Sequence, residues 1–266
     1  MALCRYLFVV LFLISPAASA ATLGDLVRAS GLPRYQVEII GQIPHDTTSF
    51  TQGLCYESGV LFESTGLYGH ASVRKINPRT GGVLQSVALD SVLFGEGLTL
   101  YEDKTIVLTW REQTALVFRS VNLERMGTFR YDTEGWGLTT DGKRLIMTDG
   151  TAVLYFRNPN TFSRMGEVTV TLSGQPIHYL NELEFVNGSV YANILGEDFI
   201  VAIDPANGVI TAVVDARSLR DAVPDLDPSY PLNGIAHDPA TGDYYLTGKL
   251  WPFIFRVHFI QDFGDR

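Results

Sequence analysis

The stretch Phe50-Thr-Gln-Gly-Leu54 returns as Phe94-Gly-Glu-Gly-Leu98, then as Glu134-Gly-Trp-Gly-Leu138, Leu180-Asn-Glu-Leu183 and Leu232-Asn-Gly-Ile235. Aligned on Gly53, Gly97, Gly137, Glu182 and Gly234, the copies lie 44, 40, 45 and 52 residues apart. Four-stranded propeller blades repeat every roughly 40–50 residues. The same layout follows each copy. A turn such as 56–59, 140–142 or 186–188 leads to a second strand, at 60–63, 105–110, 144–148, 189–194 and 243–247. Third strands follow at 72–76, 115–119, 153–157, 199–203 and 254–258, and outer strands near 83–89, 126–131, 165–172 and 209–214. Alternating apolar and polar residues bounded by Gly, Asn and Asp mark short antiparallel strands.

The fifth repeat ends after its third strand, whereas 35–43 is a strand without a hairpin partner. It is expected to become the outer strand of the fifth blade and close the ring, protecting exposed sheet edges. The expected fold is therefore all-β: a five-bladed β-propeller of four-stranded blades over residues 35–260, after a leader at 21–34 and before a tail at 261–266. A β-sandwich of many short strands is the competing architecture, and five registered repeats argue against it. The longest gap holds residues 216–230, a surface insertion in which Ser218 reads as the cap of a short helix.

Residues 1–20 read as a secretory signal peptide. Arg5 precedes an apolar run at 6–14, and Ala18-Ser19-Ala20 fits a small-x-small cleavage site. The run falls short of the roughly 20 residues of a membrane span. The expectation is a periplasmic or secreted protein with no membrane contact after cleavage. Removal of Cys4 would leave Cys55 alone, so no disulfide framework is available. The chain holds 20 basic and 29 acidic side chains, a net charge of −9, and no Lys/Arg cluster, which argues against nucleic acid.

The repeat also aligns one position just before the shared glycine: Gln52, Glu96, Trp136, Asn181 and Asn233. Innermost strands surround a propeller's channel, so these residues should converge near one mouth. A structural ring would repeat small or apolar residues. Polar groups that differ from blade to blade are costly to bury unpaired, so they suggest a pocket; the bland alternative is a solvated channel. A second set lies at the ends of the second strands, including Glu63-Ser64, Thr109-Trp110, Thr148-Asp149, residues 193–195 and Thr247-Gly-Lys249.

These motifs, with Leu61-Phe-Glu-Ser-Thr-Gly-Leu-Tyr-Gly69 and Leu246-Thr-Gly-Lys-Leu-Trp251, resemble the plant and bacterial glutaminyl cyclases over residues 35–259. The resemblance implies a five-bladed propeller that converts N-terminal glutamine of peptides or proteins to pyroglutamate with release of ammonia, without a cofactor or metal ligand. Carried over, Glu96 matches the catalytic acid/base. Lys249 and Asn181 match polar groups around the reacting amide, and Gln52 belongs to the same pocket. Phe50, Phe94, Trp110 and Trp136 match its aromatic lining. One departure is visible: residues 191–195 end in Leu195, where plant members carry Trp, which leaves one aromatic wall open.

The chemistry suits such a set. The substrate's α-amine attacks its own side-chain amide, so the protein need only hold the folded-back rotamer between aromatic walls. One carboxylate can take the amine's proton and return it to the leaving nitrogen. Glu96, flanked by Gly95 and Gly97, is the candidate; a mid-channel carboxylate near apolar rings is expected to have a raised pKa. Lys249 and Asn181 are candidates to stabilise the oxyanion, although Lys249 could instead pair with Glu63. Two other classes stay open. One is a calcium-dependent lactonase using Glu96, Asn181, Asn233 and Asp149; the other is a non-catalytic peptide-binding propeller. A closed ring demands no partner subunit, so a monomer is expected.

Overall fold

The computed structural model describes residues 23–263, so the expected signal peptide lies outside the described residues. A helix, α1 (Leu23–Ser30), leads into β1 (Arg34–Pro44). Three four-stranded antiparallel sheets follow. They are β2–β5 (Thr51–Glu57, Val60–Thr65, Ser72–Ile76, Val83–Ala88), β6–β9 (Gly95–Tyr101, Lys104–Thr109, Thr114–Arg119, Arg125–Arg130) and β10–β13 (Leu138–Thr140, Leu145–Met147, Val153–Arg157, Arg164–Thr169). A short hairpin, β14–β15 (Thr171–Leu172, Gln175–Pro176), precedes β16–β19 (Leu180–Val186, Ser189–Ile194, Phe199–Ile203, Ile210–Asp215). Helix α2 (Arg217–Asp221) and β20–β22 (Leu232–His237, Tyr244–Gly248, Phe253–Asp262) complete the order. The chain is all-β with several four-stranded sheets, a propeller-like fold.

Strand β1 runs antiparallel to β22 from Arg34↔Asp262 to Pro44↔Phe253, which gives the 35–43 segment a partner. Its first three residues also pair in parallel with Val213, Val214 and Asp215, so β16–β22 and β1 form one eight-stranded sheet. Burial falls from the inside outward. Strands β2 and β6 begin with five buried residues, whereas β5, β9 and β13 alternate between exposed and half-buried positions. A strand packed on both faces reads as continuous burial, and one with a solvated face alternates.

The core is divided between neighbouring sheets. Phe62 and Val73 meet Leu98 and Phe118; Ile106 and Leu108 meet Leu138 and Met147; Ile146 and Leu154 meet Leu183 and Val201. Ile200 and Val214 meet Ile235 and Phe255, and Ile254 and Ala236 pack on Leu54 and Leu61 of the first sheet. Full burial of each such side chain contributes about 1.5–3 kcal/mol, so these clusters hold the groups of four strands together. The shared glycine is required where inner strands meet: a Cβ on Gly97 would lie 2.5 Å from Trp136 O, to which Gly97 N already donates.

The 21–34 leader contains α1, whose Leu23, Leu26 and Val27 pack onto the core between the third and fourth sheets. Two local expectations are corrected. The outer strand read at 165–172 is interrupted, because Val170 N turns to Ala152 O and Thr171 N to Gly208 O. Ser218 lies inside α2; Ala216 is the cap, with no side-chain cap bond, and the helix is anchored by buried Leu219 and by Arg220 on Asp198.

Candidate active site

All eight residues singled out above line one cavity of about 280 Å³, together with Leu67 and Leu195. Gln52, Glu96 and Asn181 come from inner strands β2, β6 and β16, and Trp136 lies just before β10. Trp110, Leu195 and Lys249 follow the second strands β7, β17 and β21. Phe50 and Phe94 precede β2 and β6. Members of both aligned sets therefore meet in one cavity. Members that stay out of the cavity brace the main chain instead: Ser64 Oγ donates to Glu96 O, and Thr148 Oγ1 donates to Asn181 O at 2.8 Å.

Glu96 is 5 % exposed, and its Oε1 accepts from Gln52 Nε2 at 3.1 Å. Burial pushes its pKa well above the usual carboxylate value; Lys249 opposes that rise, while Glu134 and Glu112 add to it. Lys249 is buried too, and burial lowers its pKa against the pull of Glu96. Its Nζ sits 4.9 Å from the centroid of Phe50. An acid held toward neutrality and a base held toward neutrality thus share one small space. Among the described residues Gln52 Oε1 and Asn181 Oδ1 are buried without a hydrogen-bond partner. A buried orphan acceptor costs about 1–3 kcal/mol, and both atoms belong to residues lining the cavity, where a bound ligand with N–H groups would satisfy them.

The rings form a connected wall. Phe94 meets Phe50, Tyr68 and Trp110 at centroid distances of 6.1, 5.4 and 5.5 Å. Trp136 leans on Gly150 (φ +81°), where an added Cβ would lie 2.7 Å from the indole. Trp110 Nε1 and Trp136 Nε1 both donate to Glu134, a residue the sequence reading did not single out.

A second polar cluster supports the Lys249 side. Glu63 is fully buried and accepts from Thr51 Oγ1 at 2.7 Å, Arg74 Nη2 at 2.6 Å and His45 Nε2 at 2.9 Å. His45 Nδ1 lies 2.9 Å from Trp251 O. Both ring nitrogens face oxygens that only accept, so His45 is held as the imidazolium. Burial works against that charge and Glu63 outweighs it, leaving the His45 pKa raised. His45 N donates to Pro252 O and Leu250 N donates to Ser49 O, which ties this cluster to the loop carrying Lys249 and to the neighbours of Phe50. Glu63 is thus taken by His45 and Arg74, so it is not the partner of Lys249.

Two residues weighed as calcium ligands lie elsewhere. Asn233 donates to Thr51 O and Gln52 O, and Asp149 accepts from Thr151 and Tyr155. Neither lines the cavity with Glu96 and Asn181. Glu182, which stands where the other repeats have glycine, cross-braces the channel by accepting from Leu54 N and Ile235 N.

The family model described as "Glutamine cyclotransferase" matches residues 8–259 of this chain. An Arabidopsis thaliana protein named glutaminyl-peptide cyclotransferase is 38 % identical over 233 residues, 85 % of this chain and 72 % of the relative. The crystal structure of Myxococcus xanthus glutaminyl cyclase superposes with a TM-score of 0.82 at 37 % identity, covering 87 % of this chain and 99 % of that one.

Proposed function

Because the chain belongs to the glutamine cyclotransferase family, we propose that it converts N-terminal glutamine of peptides or proteins to pyroglutamate, with Glu96 as the proton shuttle. Residues 35–260 are read as a single domain of five blades, with β1 the fourth strand of the fifth blade and the closure of the ring. The five core clusters, one of which joins the last sheet to the first, support that reading. We further propose that the protein is exported, with residues 1–20 removed, and acts as a monomer.

The substrate's α-amine attacks the side-chain amide carbon. A new N–C bond closes the five-membered lactam, the old C–N bond breaks, and ammonia departs. Glu96 takes one proton from the attacking amine and gives it to the leaving nitrogen, so no net proton is consumed. Positioned acid/base catalysis of this kind contributes about 10²–10⁴ in rate. The raised pKa of Glu96 suits both halves of that cycle. Lys249 is assigned to the developing oxyanion, where a preorganised charge in a dry site is worth most. The orphan acceptors of Asn181 and Gln52 are assigned to substrate N–H groups, while Phe50, Phe94, Trp110 and Trp136 restrict the folded-back rotamer. None of these steps calls on a metal or cofactor.

The observation that carries this reading is the buried Glu96 carboxyl, held by one neutral amide among the aromatic residues that line the cavity. The test is ammonia release from a glutaminyl dipeptide amide by wild type and Glu96→Gln, with and without chelator. Turnover that survives chelator and collapses in the variant is expected. Loss of activity in chelator would move the assignment to a metal-dependent hydrolase. Binding without turnover by folded wild type would leave only a peptide-binding platform.

A further inference from the structure

Trp110 and Trp136 reach the cavity from different sheets, yet their indole N–H groups converge on one atom. Glu134 Oε2 accepts from Trp110 Nε1 at 2.8 Å and from Trp136 Nε1 at 3.1 Å. The other oxygen, Oε1, accepts from Arg111 Nε at 3.3 Å. The Arg111 guanidinium carbon in turn stacks 3.7 Å from the Trp110 ring centroid. Glu134 itself does not line the cavity. Its side chain is 40 % exposed, so solvent screens its charge and its ion pair contributes little to stability. What distinguishes it is direction: one oxygen fixes the orientation of two rings that no common strand could align.

We infer that Glu134 is a positioning residue that locks Trp110 and Trp136 as walls of the substrate cavity and thereby sets how tightly the glutaminyl side chain is held. This rests on the reading of the cavity as the glutamine pocket. An indole whose N–H loses its acceptor gains a donor to satisfy elsewhere, and rotation toward solvent would open the wall. Arg111 adds a cation against the ring of Trp110. The carboxylate also stands as a like charge toward Glu96 and helps to raise its pKa.

The chain has three tryptophans. The third, Trp251, is fully buried and donates to Tyr230 O, so emission that responds to the cavity comes from Trp110 and Trp136. The experiment compares acrylamide quenching and steady-state kinetics in Glu134→Ala and Glu134→Gln, with Trp110→Phe and Trp136→Phe assigning the emission. Glu134→Ala is expected to increase quenching of both indoles and to raise KM about tenfold, the loss expected of about one charge-assisted hydrogen bond, with a smaller change in kcat. In Glu134→Gln the amide oxygen can replace Oε2 for both indoles. That variant should keep wild-type quenching and KM, while the acid limb of its kcat/KM profile moves to lower pH. A folded Glu134→Ala protein with wild-type quenching and KM would overturn the proposal, as would a Gln variant as impaired as Ala. Quenching reads the clamp without turnover, so failure of the cyclase assignment would show separately as inactive wild type.

Discussion

Glu63 and Glu96 lie on neighbouring sheets, both removed from water, and the fold drives them in opposite directions. For each, burial penalises the ionised form. Around Glu63 stand two cations and a hydroxyl, which overcome that penalty and take the pKa down to about 2. Around Glu96 stand one neutral amide at hydrogen-bond distance and an ammonium that pulls only through space, and the pKa stays well above the usual value. A buried carboxyl thus becomes structural or chemical according to its partners, because unpaired burial favours the neutral acid and paired burial favours the ion.

The largest expected effect breaks the Glu96 side. Glu96→Gln should lower kcat by about 10²–10⁴, measured by ammonia release. Its melting temperature should hold or rise at neutral pH: a folded pKa raised above the unfolded one means that ionised Glu96 costs stability there. The Glu63 side should answer in reverse. Glu63→Ala leaves buried His45 without its carboxylate and Arg74 with only Asp46, and should destabilise by about 3–5 kcal/mol, read from urea unfolding.

A smaller effect sharpens the chemical side. Lys249→Met should reduce kcat by about 10²–10³, the scale for loss of one oxyanion donor. The wild-type pH profile should be bell-shaped. Activity is lost as pH falls through the raised pKa of Glu96 and as it rises through the lowered pKa of Lys249. In Lys249→Met the alkaline limb should vanish. The acid limb should move to higher pH, because the charge that favours ionised Glu96 is gone.

The smallest expected effect is the pH dependence of stability. The raised pKa of His45 contributes stability that is complete below its ordinary 6.5 and lost as pH climbs through the folded value. The depressed pKa of Glu63 contributes stability present above its ordinary 4.5 and lost as pH falls toward about 2. Melting temperature followed across pH should therefore decline at both ends, and His45→Gln should flatten the alkaline decline. A wild-type curve with no alkaline decline would refute the imidazolium assignment.

Much of the site was legible because the chain repeats. Gln52, Glu96, Trp136 and Asn181 occupy one position of a recurring motif, and equivalent positions in equivalent sheets must arrive at the same mouth. Asn233 is the exception: it shares that position but turns its amide to the carbonyls of Thr51 and Gln52. In the sequence Glu134 is only the first residue of its motif, since its role depends on two indoles carried by different sheets. His45, Glu63 and Arg74 likewise lie on separate elements, and no spacing in the chain announces their contact.

The all-β class, the recurring four-strand unit and the alignment of Gln52, Glu96, Trp136 and Asn181 at one position of it followed from the sequence alone, because they rest on period and alternation, which are local properties that the chain carries along its length. The tertiary structure alone decided which carboxyl is paired, which amide faces the cavity and which oxygen holds the two tryptophans. Those outcomes depend on distances of about 3 Å between residues far apart in the chain, and hydrogen bonding and desolvation act only at that range.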